Sequence, residues 1–159
     1  MKRLVRISLL LACVASAASA FAAAFVALDR KSARMLTDEA THAVPTIVAL
    51  WSTDCPHCKK NLGLFADMVK ADAGLRLITV AVEPLSAEVA TSLDRIKVLG
   101  VRYVYGADAP EAIAFALDPK WCGELPRTLF FDGHGNRIAI SGAVDRASTR
   151  KSLGLADKR

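Results

Sequence analysis

Cysteine is scarce in this chain of 159 residues: there are four, and only Cys55 and Cys58 stand close together. A structural zinc module commonly draws its four ligands from two such pairs, so that class does not fit. Covalent haem does not fit either, because Lys59 follows Cys58 where the attachment motif needs histidine. No run of lysine or arginine exceeds two residues, which leaves no basic stripe for nucleic acid. Lys59-Lys60 reads as the solvated face of a helix. Internal repeats and low-complexity linkers are also missing, so no boundary divides the chain after its N-terminus.

The N-terminus itself is distinctive. Met1 to Arg6 is basic, Ile7 to Ala18 is apolar and small, and Ala18-Ser19-Ala20 and Ala20-Phe21-Ala22 both fit a small-x-small cleavage site. Residues 1–22 therefore read as a secretory signal, placing residues 23–159 in the periplasm or another extracytoplasmic compartment. The alternative is an uncleaved anchor, since no charge interrupts Ile7 to Leu28 and a spanning helix needs about 20 residues. A lipoprotein reading at Cys13 leaves too short an apolar run after Arg6. Removing the signal takes away Lys2, Arg3 and Arg6 and no acid, leaving 18 basic and 16 acidic residues, a net charge of +2 instead of +5. The remaining length suffices for one domain with a core that needs no disulfide staples. Three cysteines remain, an odd number that suggests one exchangeable pair and a leftover thiol, Cys122.

Cys55-Pro56-His57-Cys58 carries the chemistry. The apolar run Pro45 to Trp51 precedes it as a buried strand, and Leu62, Phe65, Met68 and Val69 follow at helical spacing. Two thiols at that spacing where a helix opens suit reversible disulfide exchange. The positive end of the helix dipole favours a Cys55 thiolate, the form that attacks a disulfide. His57 can donate to the Cys55 sulfur and stabilise it further, whereas the carboxylate of Asp54 opposes a second negative charge unless it turns away to cap the helix. Thr53 or Asp54 is the expected cap, and Pro56 suits the first turn.

Elsewhere, Phe25–Leu28 and Arg34–Leu36 flank a turn-like Asp29–Ser32 and suggest a short hairpin. Thr37-Asp-Glu-Ala starts like a capped helical turn. Leu75–Val82 and Val101–Tyr105 read as strands, and Ser86–Leu99, Pro110–Leu117 and Ala143–Leu155 as helices. Arg127–Phe131 and Arg137–Ile140, joined by Asp132-Gly-His-Gly-Asn136, make a strong hairpin. Helices alternating with buried strands, and an antiparallel hairpin late in the chain, indicate an α/β domain around one mixed sheet.

These residues resemble the thioredoxin superfamily. The match is carried by Trp51 four residues before Cys55, by the Cys-Pro-His-Cys motif at a helix start, and by Leu125-Pro126-Arg-Thr-Leu-Phe-Phe-Asp132 leading into a hairpin. The resemblance implies a thioredoxin-like fold with an extra strand and helix (Val101–Leu117), a cis Pro126 against the two sulfurs, and protein thiols or disulfides as substrates. It implies catalytic roles for Cys55, Cys58, His57, Pro56 and Pro126, and a polypeptide docking beside Trp51, Leu125 and Arg127. The disulfide is itself the redox group, so no cofactor and no metal are expected, and the protein is expected to be a monomer, with a membrane electron donor or acceptor as a further partner. The 68 positions from Cys58 to Pro126 resemble the TlpA/ResA group of envelope oxidoreductases, which includes the cytochrome c maturation thioredoxins. The dipeptide Pro56-His57 instead resembles the oxidising DsbA type, and the direction of electron flow stays open. Asn61 stands where TlpA/ResA-type reductases often carry Glu, Ala49 where small thioredoxins carry a buried Asp, and Asp54 where an aromatic is usual. Glu83 is a candidate replacement for the missing acids near the second thiol. Cys122, where relatives usually have Val or Ile, reads as a core residue. The alternative from another class is a thioredoxin-fold copper protein using Cys55, His57 and Cys58, with Cys122 or His134 completing the set.

Overall fold

The computed structural model describes residues 25–155; the signal or anchor segment lies outside them. The elements run β1 (Phe25–Leu28), α1 (Arg30–Thr37), a 3-10 turn (Glu39–Thr41), β2 (Thr46–Trp51), α2 (Pro56–Ala71), β3 (Arg76–Ala81), α3 (Ala87–Ile96), β4 (Val101–Tyr105), α4 (Pro110–Leu117), β5 (Arg127–Phe131), β6 (Arg137–Ser141) and α5 (Arg146–Ser152). They build one six-stranded sheet in the order β1-β4-β3-β2-β5-β6. β1, β4, β3 and β2 are mutually parallel, while β5 runs antiparallel to β2 and to β6. The mixed α/β sheet, the Val101–Leu117 strand and helix, and the late hairpin are all as expected.

All six residues of β2 are buried, because the strand is central and both sheet faces are covered. Alternation sends Ile47, Ala49 and Trp51 to one face, where they meet Leu62, Phe65 and Met68 of α2 and Val89 and Leu93 of α3. Val48 and Leu50 point to the other, against Ala33 and Leu36 of α1 and Ile113 and Leu117 of α4.

The expected N-terminal hairpin does not form. Asp29 instead caps α1 in a reciprocal capping box: its carboxylate accepts from the Ser32 N–H at 2.7 Å, and its own N–H donates to the Ser32 hydroxyl at 3.0 Å. The stretch that looked like a turn is a helix start, and β1 pairs with β4 rather than with a strand of its own making. The last helix is also shorter than expected, because Gly142 takes a left-handed φ of 93° and Asp145 caps the chain only afterwards.

Candidate active site

Cys55 is the N-cap of α2, and Pro56 occupies the first turn. The expected caps, Thr53 and Asp54, do not serve: the Cys55 sulfur itself accepts from the Cys58 N–H at 3.1 Å. One orphan donor of the helix start, the Cys58 N–H, therefore points at sulfur. Cys55 and Cys58 are joined in a disulfide of 2.03 Å; Cys58 is buried and Cys55 half-buried. Pro56, His57 and Asp54 are exposed, and the His57 ring makes no hydrogen bond among the described residues.

The sheet register brings the second half of the site alongside. Leu50 is paired with Arg127, so Trp51 and Pro126 follow next on neighbouring strands at the end where Cys55 lies. The Leu125–Pro126 bond is cis, Pro126 is buried, and half-buried Leu125 packs against both core clusters.

Two of the expected docking residues lie elsewhere in role. Trp51 is fully buried beneath the site, out of reach of a polypeptide, and its indole N–H has no hydrogen-bond partner among the described residues. Arg127 is also largely covered. Its Nη2 and Nε donate to one oxygen of buried Asp118 at 2.6 and 3.2 Å, and its Nη1 donates to the Ser141 hydroxyl at 2.8 Å. Burial alone would raise the Asp118 pKa, but the Arg127 guanidinium and the Lys120 N–H outweigh it and hold the carboxyl below its usual range. Ser141 in turn donates to Glu124, which also receives the Cys122 N–H, so this carboxyl too is held low. Asp118, Glu124 and Ser141 thus brace the segment before Pro126. Sequence reasoning missed them, because residues distant along the chain meet here and no local motif marks them.

Three further residues bear on the site. The two carboxylate oxygens of Glu83 accept from the N–H and the hydroxyl of Thr53 at 2.6 and 3.1 Å, clamping the loop between β2 and Cys55. Cys122 is exposed, not core, because Trp121 takes the packing role on the second cluster. Asn61 is buried one turn beyond Cys58; its Nδ2 donates to the Gly142 carbonyl at 3.1 Å and its Oδ1 accepts from the Val144 N–H at 3.2 Å. Gly142 donates onward to the Pro126 carbonyl at 2.8 Å. His134 lies in the turn after β5, at the opposite end of the sheet from Cys55. No group of three or more metal-ligating side chains is assembled among the described residues, so the copper ligand set does not come together there.

No family model matches the chain, and no curated protein matches it. Solved structures do. A secreted Mycobacterium tuberculosis disulfide oxidoreductase homologous to E. coli DsbE aligns with a TM-score of 0.59 at 13% identity, covering 72% of this chain and 84% of that one. A thioredoxin-family thiol:disulfide interchange protein from Chlorobium tepidum gives 0.58 at 21% identity, covering 72% and 81%. StoA from Bacillus subtilis gives 0.51 at 17% identity, covering 69% and 81%. At such identities the likeness is one of fold, and the fold is thioredoxin-like.

Proposed function

We propose that this chain is a thiol-disulfide oxidoreductase of the cell envelope, of the TlpA/ResA-like kind, exchanging disulfides with proteins through Cys55 and Cys58. The observation that carries the reading is the Cys55–Cys58 disulfide at the start of α2, beside the cis Leu125–Pro126 strand edge. The names of the similar structures support it, as does the export pattern in residues 1–22. Among the described residues no helix is long and apolar enough to cross a membrane.

In the reducing direction the Cys55 thiolate attacks a substrate disulfide. A bond forms between Cys55 and one substrate sulfur, and the other substrate sulfur leaves as a thiolate and takes a proton. The Cys58 thiolate then attacks the Cys55 sulfur, closing the Cys55–Cys58 bond and releasing the second substrate thiol. Two electrons pass from the pair to the substrate, and the reverse sequence oxidises a substrate dithiol. The helix N-terminus favours the Cys55 thiolate, the form that attacks, and His57 is the neighbouring side chain able to add to that stabilisation. Cys55 is half-buried and reachable from solvent, whereas Cys58 is covered, and this supports the division into attacking and resolving thiols.

The assignment is tested by trapping. Cys58→Ala is expected to accumulate mixed disulfides with envelope proteins on non-reducing gels, and Cys55→Ala is not. The reverse pattern overturns the roles. Sequencing the N-terminus of the exported protein separates cleavage after Ala20 or Ala22 from an intact anchor.

A further inference from the structure

We propose that Asn61 is a positioning residue that fixes the Pro126 docking edge relative to the Cys55–Cys58 pair; this rests on the disulfide-exchange reading above. The two halves of the site come from distant parts of the chain. The sulfurs belong to the start of α2, and the cis-proline edge belongs to the start of β5. Sheet pairing fixes β5 against β2 only as far as Arg127, and the chain before it is a loop. The braces from Asp118, Glu124 and Ser141 tie that loop to β5 and β6 and not to α2, so a further link sets where Pro126 stands relative to the helix that carries the sulfurs.

Asn61 supplies it. Its side chain is 2% exposed and spans from α2 to the loop after β6, giving a hydrogen bond to Gly142 and taking one from Val144. The Gly142 N–H reaches the Pro126 carbonyl. A continuous path thus runs from the helix that carries Cys58, through the Asn61 amide and one backbone unit, to the proline. Only an amide meets both demands at that position. A carboxylate accepts from Val144 but sets an oxygen against the Gly142 carbonyl, and an aliphatic residue satisfies neither. Gly142 completes the device. Its φ of 93° aims its N–H and carbonyl in opposite directions, toward Pro126 and Asn61, and an added Cβ would meet no atom within 4 Å. The constraint there is backbone conformation, not space.

A residue that positions the docking edge must affect polypeptide substrates and spare small ones. The test compares the reduced protein in single-turnover reactions with two disulfides, insulin and a small aromatic disulfide that has no chain to dock. For Asn61→Leu the second-order rate with insulin is expected to fall about tenfold, the scale of a slightly misplaced reacting group. The rate with the small disulfide should stay within about twofold, since it reads the Cys55 thiolate alone. Gly142→Ala, which keeps every side chain of the site, should give the same selective loss, and Asn61→Asp should fall between wild type and Asn61→Leu. Equal loss with both substrates, or no loss with insulin despite a lower melting temperature, overturns the proposal. If wild type reacts with neither disulfide, the oxidoreductase reading itself fails, a result distinct from either.

Discussion

Arg127 follows the cis-proline directly, yet only 12% of its side chain is exposed, and its guanidinium is committed to Asp118. A side chain next to the cis-proline is thus part of the support of that strand end. The ion pair is covered, so losing one partner strands a charge, which costs about 3 kcal/mol or more. Asp118→Asn should therefore destabilise the protein by roughly 3 kcal/mol at neutral pH. The depressed carboxyl contributes fully above the unfolded value of about 3.9, and that contribution is lost as pH falls through the lower folded value. The gap between wild type and variant in urea unfolding should hold at neutral pH and narrow toward pH of about 2. A gap independent of pH would mean that the bond works as a neutral hydrogen bond and the charge is irrelevant. Cys122 carries a related lesson. Its place in the motif suggested a small buried residue, but one position earlier Trp121 covers the second core cluster and donates its indole N–H to the Glu124 carbonyl at 2.7 Å, leaving the thiol outside.

Helix α1 is stabilised at its start by the Asp29–Ser32 box and by burying Ala33 and Leu36. Asp29→Ala should remove both the accepted bond and a carboxylate held below its usual range chiefly by the Ser32 hydroxyl. The expected outcome is a melting temperature lower by a few degrees, with disulfide exchange unchanged, because α1 packs on the sheet face opposite α2. A melting temperature that does not move would show the cap to be dispensable. The same element explains what the sequence hid. β2, α2 and the β5–β6 hairpin were legible because their apolar period is long, or because Asp132-Gly-His-Gly-Asn136 has one plausible conformation. Asp29-Arg-Lys-Ser32 suits a turn and a capping box equally, and only packing against α4 decides between them. In the site, Cys55 and Cys58 were legible from their spacing at a helix start, and Pro126 only through the resemblance carried by Leu125 to Asp132. Asn61, Glu83 and Asp118 were visible as residue types, but their partners Gly142, Thr53 and Arg127 are set by the sheet register and by loop paths that no local pattern encodes.

At the scale of the whole molecule, redox potential and folding stability are two readings of one free energy. The oxidised and reduced proteins and their unfolded counterparts form a closed cycle, so whatever stabilises the folded dithiol over the folded disulfide raises the potential by the same amount. On the proposed reading, two contributions favour the reduced side, the N-terminus of α2 and the adjacent His57, and the exposed carboxylate of Asp54 opposes them. The balance predicts a potential between the thioredoxin and DsbA values, roughly −160 to −240 mV. His57→Ala should raise the Cys55 pKa, followed by thiolate absorbance against pH, and should make the potential more negative in a glutathione titration. The cycle then demands a matching change in stability. For each 30 mV of shift, the reduced form should lose about 1.4 kcal/mol relative to the oxidised form in urea unfolding. His57 is exposed and makes no hydrogen bond among the described residues, so little else should change with it. A potential that stays put means the histidine is a bystander, and any stabilisation of the thiolate then rests on the helix end alone. A potential that moves without the stability difference would place the effect in the unfolded chain, where His57 also sits between the two thiols.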